Sequence, residues 1–303
     1  KESSAASDVY KRQEILDGKK LSQQIKEEIK QAVGLRKDKG QKIPHLAAVL
    51  VGNDGASLTY VGSKVRSCEQ VGFKSTLIRL ESSITEEALL TKIKALNNDD
   101  TLDGYIVKLP LPKHIDEEKI LLAVDPNKDV DGFHPSNFGR MALEMESFIP
   151  ATPFGIMEML RRNGLDISGK HCVVIGRSNI VGRPISILMS QKGNPGNATV
   201  TLAHSRTRKI EQLTQKADII VSALGIPEFL KADMVKDGVI VIDVGITRVP
   251  DESHPKGYVI KGDVAFEEVA KKSSYITPVP GGVGPMTIAM LLQNTLLSCE
   301  RNT

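Results

Sequence analysis

Apolar residues recur along this chain at two spacings, and the alternation of the two predicts its fold class. Leu21, Ile25, Ile29 and Val33 stand four residues apart, which predicts an amphipathic helix over residues 21–35. Short apolar runs rich in β-branched residues, with glycine, proline or polar residues at their ends, predict buried strands instead. Segments of both kinds follow one another along most of the chain.

Strands are predicted at residues 46–51, 74–80, 104–109, 172–175, 199–203, 219–222 and 239–244. Further helices are predicted at residues 57–71, 85–96, 117–124, 156–163, 210–216, 232–235 and 287–299, and one begins near Gly182. Such alternation is typical of parallel βαβ units, which place ligands at the carboxyl ends of the strands. The sequence therefore predicts an α/β protein.

Two stretches divide the chain. Residues 1–13 are polar, lack a periodic pattern and do not begin with Met, so we expect a disordered leader or a non-native remnant. A remnant of a transit peptide fits them as well. Pro150 and Pro153 then mark a boundary, so residues 14–150 and 151–286 are predicted as separate domains.

The length and amino-acid composition of the chain limit the classes of function that it can have. A length of 303 residues suits about two domains, and a net charge of +3 spread along the chain gives no support for nucleic-acid binding. Cys68, Cys172 and Cys299 are far apart and odd in number, which favours a reducing compartment. No apolar run reaches the ~18 residues of a membrane span. We expect a cytoplasmic protein that binds neither nucleic acid nor membrane, although an organellar matrix also fits.

A glycine turn after the strand at 172–175 is the first candidate site. Gly176 ends the strand and a helix starts near Gly182, so backbone amides and the helix dipole would face an anion. The spacing is not that of the Gly-x-Gly-x-x-Gly fingerprint, and an ordinary strand–turn–helix fits equally well. Arg177 and Ser178 favour a phosphate site, because both can donate hydrogen bonds to it.

Two further loops support a nucleotide site. His204, Ser205 and Arg206 follow the next strand, where an acidic residue would select NAD and a basic, hydroxyl-bearing cluster suits the 2′-phosphate of NADP. Residues 278–287 hold three glycines between prolines, which predicts a rigid loop with exposed amides before the last helix. A simple linker is the alternative for that loop.

The N-terminal half holds two lysines in settings that suit chemistry. Tyr60 and Lys64 share one helical face, so they could orient a substrate and move a proton, although a surface pair without a role is the simpler interpretation. Lys108 ends an apolar strand at the edge where an α/β sheet places its cleft. Its side chain either belongs to a functional site or extends along the protein surface so that its ammonium group reaches solvent.

Asp129 and Asp131 lie in a short turn that ends at Gly132. A metal site is conceivable there, but the spacing does not continue into an EF-hand loop, so we expect no metal. A carboxylate that accepts hydrogen bonds from a nitrogen heterocycle is the favoured functional interpretation. A capped turn is the structural alternative.

These motifs, in this order, resemble the bifunctional methylenetetrahydrofolate dehydrogenase/methenyltetrahydrofolate cyclohydrolase family from about residue 15 to the C-terminus. The matching motifs are Tyr60-x-x-x-Lys64, Leu109-Pro-Leu-Pro112, Lys128-Asp-Val-Asp-Gly132, Pro150-Ala-Thr-Pro153, Gly176-Arg-Ser-x-Ile-Val-Gly-x-Pro184 and Pro278-Val-Pro-Gly-Gly-Val-Gly-Pro-Met-Thr287. The resemblance implies a homodimer of two-domain subunits, with an N-terminal α/β folate domain, a C-terminal Rossmann-like NADP domain and a cleft between them. It also implies that residues 287–303 form a helix that packs back onto the N-terminal domain.

The resemblance also assigns roles to residues. Lys64 looks like the catalytic lysine, Tyr60 would stack on the folate rings, and Asp131 would hydrogen-bond the pterin. The substrate contacts that it implies are Tyr60, Lys64, Val107, Leu109, Asp131, Pro280, Gly281, Gly282 and Thr287. The NADP contacts that it implies are Gly176, Arg177, Ser178, Ser205 and Ile246.

The implied chemistry has two steps. Hydride leaves the methylene carbon of 5,10-methylenetetrahydrofolate for the nicotinamide, and water then adds to the methenyl cation, whose ring opens to 10-formyltetrahydrofolate. The first step needs mainly alignment, because nitrogen lone pairs support the developing cation. The second needs proton transfers, in which Lys64 would act.

One position departs from the family pattern, because Lys108 stands where the family has Gln. A second ammonium close to Lys64 would disfavour protonation of one of the two, so we expect the cyclohydrolase step to suffer more than the dehydrogenase step. A dehydrogenase without cyclohydrolase activity is therefore an alternative. A silent folate- or nucleotide-binding homologue is another, and a Rossmann dehydrogenase for a different substrate ranks last.

Overall fold

The computed structural model describes residues 14–52 and 55–302. Its strands are β1 (Glu14–Ile15), β2 (His45–Val51), β3 (Lys74–Leu80), β4 (Gly104–Val107), β5 (His171–Ile175), β6 (Thr199–Ala203), β7 (Ile219–Ser222), β8 (Val239–Asp243), β9 (Thr247–Pro250), β10 (Tyr258–Lys261) and β11 (Ser273–Ile276). Its helices are α1 (Gly18–Asp38), α2 (Gly55–Val71), α3 (Glu86–Asn97), α4 (Glu117–Ala123), α5 (Pro135–Ala142), α6 (Ala151–Arg162), α7 (Gly182–Ser190), α8 (Ile210–Thr214), α9 (Phe266–Val269) and α10 (Val283–Arg301). A 3₁₀ turn covers Ala232–Met234.

These elements divide into two units. The first unit holds residues 22–151 and 288–302, and the second holds residues 14–21 and 152–287. The sequence predicts residues 14–21 as part of the N-terminal domain, whereas in the structure they cluster with the second unit. The physical reason is β1, which pairs with β11 through Ile15 and Ile276.

The first unit is built on a parallel sheet in the order β3-β2-β4. The central strand, β2, is buried from Leu46 to Val51, which explains why it reads as an uninterrupted apolar run. Thr85 caps α3, and its side chain accepts a hydrogen bond from the amide of Ala88 at 3.2 Å, as the sequence indicated. In this parallel sheet the carboxyl ends of β2 and β4 meet at one edge, next to Lys108.

The second unit is built on a larger parallel sheet. In the described residues its order is β1-β11-β8-β7-β5-β6, and β9 and β10 form a separate antiparallel hairpin. The central strands are fully buried and rich in Val and Ile, as expected when helices cover both faces. The fold class predicted from the sequence, α/β with a Rossmann-like C-terminal part, is confirmed. Among the described residues no helix combines the length and apolarity needed to cross a membrane.

Some boundaries differ from the sequence prediction. The strand predicted to reach Leu109 ends at Val107, because Pro110 and Pro112 cannot donate to a ladder. The last helix begins at Val283 and not at Thr287, so part of the predicted loop is helical. Pro285 lies in the first turn of α10, where its missing N–H costs little.

Candidate active site

A buried ion pair is the central feature of the first unit. Lys64 on α2 places Nζ 3.8 Å from Oδ1 of Asp131, and their side chains are 3% and 15% exposed. An ammonium group is rarely buried without a functional or structural reason, because its desolvation is costly. The structure therefore brings together two of the residues that the sequence predicted as catalytic. The side chain of Tyr60, the third, lies outside the described residues.

The loop that carries Asp131 is fixed by tight packing. Gly132 has φ +73°, and a Cβ at this position would lie 2.7 Å from the backbone nitrogen of Pro150. Asn294 on α10 donates from Nδ2 to the carbonyl oxygens of Val130 at 2.9 Å and Ile149 at 3.0 Å. Asn294 is buried and was missed by sequence reasoning, because its partners lie far away in the chain.

Asp129 holds the same loop from the other side. Its Oδ2 accepts hydrogen bonds from the amide of His134 at 2.8 Å and from Nδ2 of Asn137 at 2.9 Å. Burial raises the pKa of Asp129 to about 6, and the nearby charge of Asp131 adds to the rise. No group of described His, Cys, Asp and Glu residues forms a metal-binding cluster. The carboxylate of Asp129 thus serves a hydrogen-bond network within the loop.

The end of β4 lies at the carboxyl edge of the same sheet. Val107 is buried, and the amide of Lys108 donates to the carbonyl oxygen of Val49 at 2.9 Å. Nζ of Lys108 donates to the carbonyl oxygen of Leu109, which begins the Leu-Pro-Leu-Pro segment. Lys108 is half-buried, so its ammonium group is held close to the chain.

In the second unit, the turn after β5 has the geometry that an anion requires. Gly176 has φ +117°, and a Cβ there would lie 2.2 Å from the carbonyl oxygen of Ala223. Oγ of Ser178 accepts hydrogen bonds from the amides of Val181 at 3.2 Å and Gly182 at 3.3 Å, which shapes the start of α7. This turn leads into the N-terminus of α7, which favours a negative charge.

Cationic and hydroxyl groups surround this turn. Arg177 and Ser178 are exposed, and so are Ser205 and Arg206 in the turn that follows β6. The turn after β6 is closed by a hydrogen bond from the amide of His204 to Oγ1 of Thr207 at 2.9 Å. Because β5 and β6 are parallel neighbours, their carboxyl-end turns lie side by side. The structure thus presents these donors along one edge of the sheet.

An apolar cavity of about 230 Å³ lies at the carboxyl end of β8. Its lining includes Asp243, Ile246 and the Pro278–Pro285 segment. Ile246 is 60% exposed, so its apolar side chain is accessible at this cavity. Pro280, Gly281 and Gly282, three of the predicted substrate contacts, line this cavity. Thr287, a fourth, lies on α10, and its Oγ1 is 2.9 Å from Oγ1 of Thr152.

Two segments of the chain match the models of one protein family. Residues 16–131 match the model of the tetrahydrofolate dehydrogenase/cyclohydrolase catalytic domain, and residues 150–303 match the NAD(P)-binding domain of the same family. The chain belongs to the tetrahydrofolate dehydrogenase/cyclohydrolase family. The first match contains the Lys64–Asp131 pair, and the second contains the Gly176 turn and the apolar cavity.

Individual relatives agree with this assignment. The bifunctional protein FolD of Flavobacterium johnsoniae is 73% identical over 285 residues, which cover 94% of this chain and 97% of that protein. The crystal structure of the bifunctional FolD enzyme from Campylobacter jejuni is 50% identical, with a TM-score of 0.90 over 95% of this chain and 99% of its own. The Trypanosoma brucei enzyme, solved with NADP and an inhibitor, is 39% identical with a TM-score of 0.88, and the match covers 94% of this chain and 96% of that one.

The chain is therefore a bifunctional methylenetetrahydrofolate dehydrogenase and methenyltetrahydrofolate cyclohydrolase. The comparisons favour both activities over the dehydrogenase-only and silent alternatives.

Proposed function

We propose that this chain oxidises 5,10-methylenetetrahydrofolate with NADP and hydrolyses the resulting methenyl cation to 10-formyltetrahydrofolate, with Lys64 and Asp131 as the folate-side residues. The observation that carries this assignment is their buried contact, with 3.8 Å between Lys64 Nζ and Asp131 Oδ1. A lysine that is 3% exposed is shielded from solvent, so its proton can be directed to a bound substrate. The carboxylate beside it supplies an acceptor for the N–H groups of a pterin.

The hydrolytic step is the one that needs Lys64. Water adds its oxygen to the bridging carbon of the methenyl cation, and a proton leaves that oxygen. The bond from this carbon to N5 then breaks, N5 keeps the electron pair and gains one proton, and the oxygen loses its second proton to solvent as it forms the C=O bond of the formyl group on N10. Lys64 would move a proton between the water and N5, while Asp131 fixes the ring system that carries both nitrogens.

The second unit would hold NADP through the turns at the carboxyl ends of β5 and β6. The close approach of Gly176 to Ala223, which no side chain at 176 would permit, suits a backbone turn that contacts a pyrophosphate. Arg177 and Ser205 would contact the 2′-phosphate, and Ile246 would pack against the nicotinamide. When bound, NADP accepts the hydride of the first step.

The experiment that tests this function uses purified protein in two separate assays. NADPH formation is followed with 5,10-methylenetetrahydrofolate and NADP, and decay of methenyltetrahydrofolate is followed against the buffer blank. We expect both activities, and a higher specificity constant for NADP than for NAD. Absence of both activities would contradict the proposed function. A higher specificity constant for NAD would overturn the assignment of Arg177 and Ser205.

We further propose that the chain acts as a homodimer in the cytoplasm. β6 lies at an edge of the six-stranded sheet of the described residues, and Leu202 on this strand is 36% exposed. An edge strand offers unpaired backbone groups to a second chain. Sedimentation analysis should give a dimer mass, and Leu202→Lys should shift the protein towards the monomer. A monomeric wild-type protein would refute this assignment.

The cytoplasmic assignment is checked by cell fractionation with an antibody, and recovery in an organellar fraction would contradict it.

A further inference from the structure

Two buried carboxylates of the second unit are not used by the proposed chemistry. Asp243 ends β8 and is 3% exposed, and Asp263 follows β10 and is fully buried. In the described chain, the hydrogen bonds that these two carboxylates accept come from backbone amides. Two acidic side chains at this depth need an explanation, since burial of a charge is costly.

Asp243 joins the loop after β8 to the segment after β10. Its Oδ1 accepts from the amides of Gly245 and Asp263, both at 2.9 Å, and its Oδ2 accepts from the amide of Val264 at 3.0 Å. A Cβ at Gly262 would lie 1.9 Å from this Oδ2. The two segments are therefore packed directly against the carboxylate.

Asp263 extends this connection to a third loop. Its Oδ2 accepts from the amides of Leu224 at 2.6 Å and Gly225 at 3.1 Å, which follow β7. Its Oδ1 is buried without a hydrogen-bond partner in the described structure. A Cβ at Gly245 would lie 2.4 Å from that oxygen. The loops after β7, β8 and β10 thus meet at two carboxylates.

The same loops form walls of the proposed nucleotide site. The loop after β7 begins with Ala223, whose carbonyl oxygen lies against Gly176, and the loop after β8 carries Gly245 and Ile246 into the apolar cavity. The Pro278–Pro285 segment forms another wall. Thr277, which precedes it, is joined to Asp243, because its Oγ1 accepts a hydrogen bond from the amide of Asp243 at 2.7 Å. Burial raises the pKa of Asp243 to about 6, with Asp263 contributing, so the cost of holding charge here is real.

We propose that Asp243, supported by Asp263, is a positioning residue for the nicotinamide end of bound NADP. Its two oxygens hold the loop that carries Gly245 and Ile246 against the segment after β10, and Asp263 joins that segment to the loop that carries the Gly176 contact. It does not touch the reacting atoms and acts through these loops. The inference rests on the proposed function, since it takes the apolar cavity as the nicotinamide site.

Isosteric substitutions separate this role from a general one in folding. Asp243→Asn must turn an amide NH₂ towards a backbone donor, because both oxygens of Asp243 accept from N–H groups. Asp263→Asn can keep its carbonyl oxygen on Leu224 and Gly225 and place its NH₂ at the unpartnered position. Asp237→Asn is the matched control, because that side chain is 76% exposed in the same unit.

The readouts are the Kd of NADPH, the KM for NADP, kcat of the dehydrogenase and methenyl hydrolysis without nucleotide. We expect Asp243→Asn to raise the Kd of NADPH about tenfold and Asp263→Asn about threefold, since only the first forces two donors together. Hydrolysis without nucleotide should change less than about twofold in both variants, because Lys64 and Asp131, the residues assigned to that step, lie in the first unit. Asp237→Asn should behave like the wild type.

Three results would overturn the proposal. The first is an Asp243→Asn variant whose Kd for NADPH stays within about twofold of wild type. The second is a larger effect of Asp263→Asn than of Asp243→Asn. The third is an equal loss of NADPH binding and hydrolysis, which would indicate a purely structural role. Loss of both activities in the wild type would instead reject the proposed function itself.

A second pair of variants tests the proposal if the Asp243→Asn chain does not fold. Thr277→Val removes the oxygen that accepts from the Asp243 amide, whereas Thr277→Ser keeps it. We expect the valine variant to raise the Kd of NADPH about threefold and the serine variant to bind as wild type does. Equal binding by the two variants would contradict the proposal.

Discussion

Both units bury a pair of ionisable side chains, but the two pairs differ in their partners. In the first unit, Asp131 lies beside the ammonium of Lys64, and the contact is long at 3.8 Å. In the second unit, Asp243 accepts three backbone hydrogen bonds of 2.9 to 3.0 Å. A loose side-chain pair can exchange its partner for a substrate, whereas a carboxylate saturated by backbone amides cannot.

This difference separates residues that act on the substrate from residues that hold a site in shape. Lys64 and Asp131 contact each other through their side chains, at a distance longer than a hydrogen bond, so we assign them to the chemistry. Asp243 has its oxygens committed to the backbone, so we assign it to positioning. Asp129 belongs with the second class although it lies two residues from Asp131, because its Oδ2 accepts from His134 and Asn137.

The largest expected effect is on the substrate-facing pair. Lys64→Met should lower methenyl hydrolysis by about 10² to 10⁴, the range of a lost general acid–base group, because the step needs proton transfers. The dehydrogenase kcat should fall by less than about tenfold, because alignment dominates that step. Stopped assays with methenyltetrahydrofolate and with NADP measure the two steps separately.

Lys26→Met is the matched control for this prediction. Lys26 is a partly buried lysine of α1 whose Nζ donates to Oγ of Ser67 at 3.0 Å, on the same helix as Lys64. We expect both of its activities to stay within about twofold of wild type. Equal losses of the two activities in Lys64→Met would show that Lys64 serves the fold of the site and not proton transfer.

A smaller effect is expected at the positioning residue of the first unit. Asp129→Asn should raise KM for the folate substrate about tenfold in both steps, because a neutral amide oxygen binds the amide of His134 and Nδ2 of Asn137 less strongly than a carboxylate does, and the loop before Asp131 would shift. The Kd of NADPH should not change. Asp125→Asn serves as the control, since Asp125 accepts from the amide of Asn127 at 2.8 Å in the same loop. A normal KM in Asp129→Asn would refute the positioning role.

The sequence predicted the parts of this molecule whose signal is local. The bounds of Lys74–Leu80, Thr199–Ala203 and Ile219–Ser222 agree with the prediction, because β-branched and apolar residues recur in each of the three segments. β1 was missed, since its two residues form a strand only through β11. α5 was missed as well, because it is only eight residues long.

The candidate site shows the same division. Lys64 and Asp131 were found from motifs, whereas the roles of Asn294 and Asp243 depend on backbone partners that lie far away in the chain. Asn294 donates to Val130, which is 164 residues away, and Asp243 accepts from Val264, which is 21 residues away. No local pattern records such contacts, so a single sequence cannot reveal them.

The raised pKa of Asp129 predicts a pH dependence of stability. Burial brings this pKa to about 6 in the folded chain from an ordinary value of 3.8, so the folded state holds the proton more tightly. The stability that this group contributes is complete below pH 3.8 and is lost as the pH rises through about 6.

Between pH 7 and pH 5 the wild type should therefore gain about 1 kcal/mol of unfolding free energy relative to Asp129→Asn, which has no proton to bind. Urea titrations of both proteins at the two pH values measure this difference. If the difference between the two proteins is the same at pH 5 and pH 7, the pKa of Asp129 is not raised.

The smallest expected effect concerns Lys108, which lies on the loop after β4 and donates from Nζ to the carbonyl oxygen of Leu109. We expect Lys108→Gln to raise the ratio of hydrolase to dehydrogenase turnover about threefold, because it replaces an ammonium group at this edge of the sheet by an amide that can both donate and accept hydrogen bonds. Lys113→Gln, at an exposed position of the same loop, removes a charge without this consequence. If both variants change the ratio equally, the net charge of the loop matters and not the position of Lys108. If neither changes it, Lys64 acts without the influence of Lys108, and the expectation is wrong.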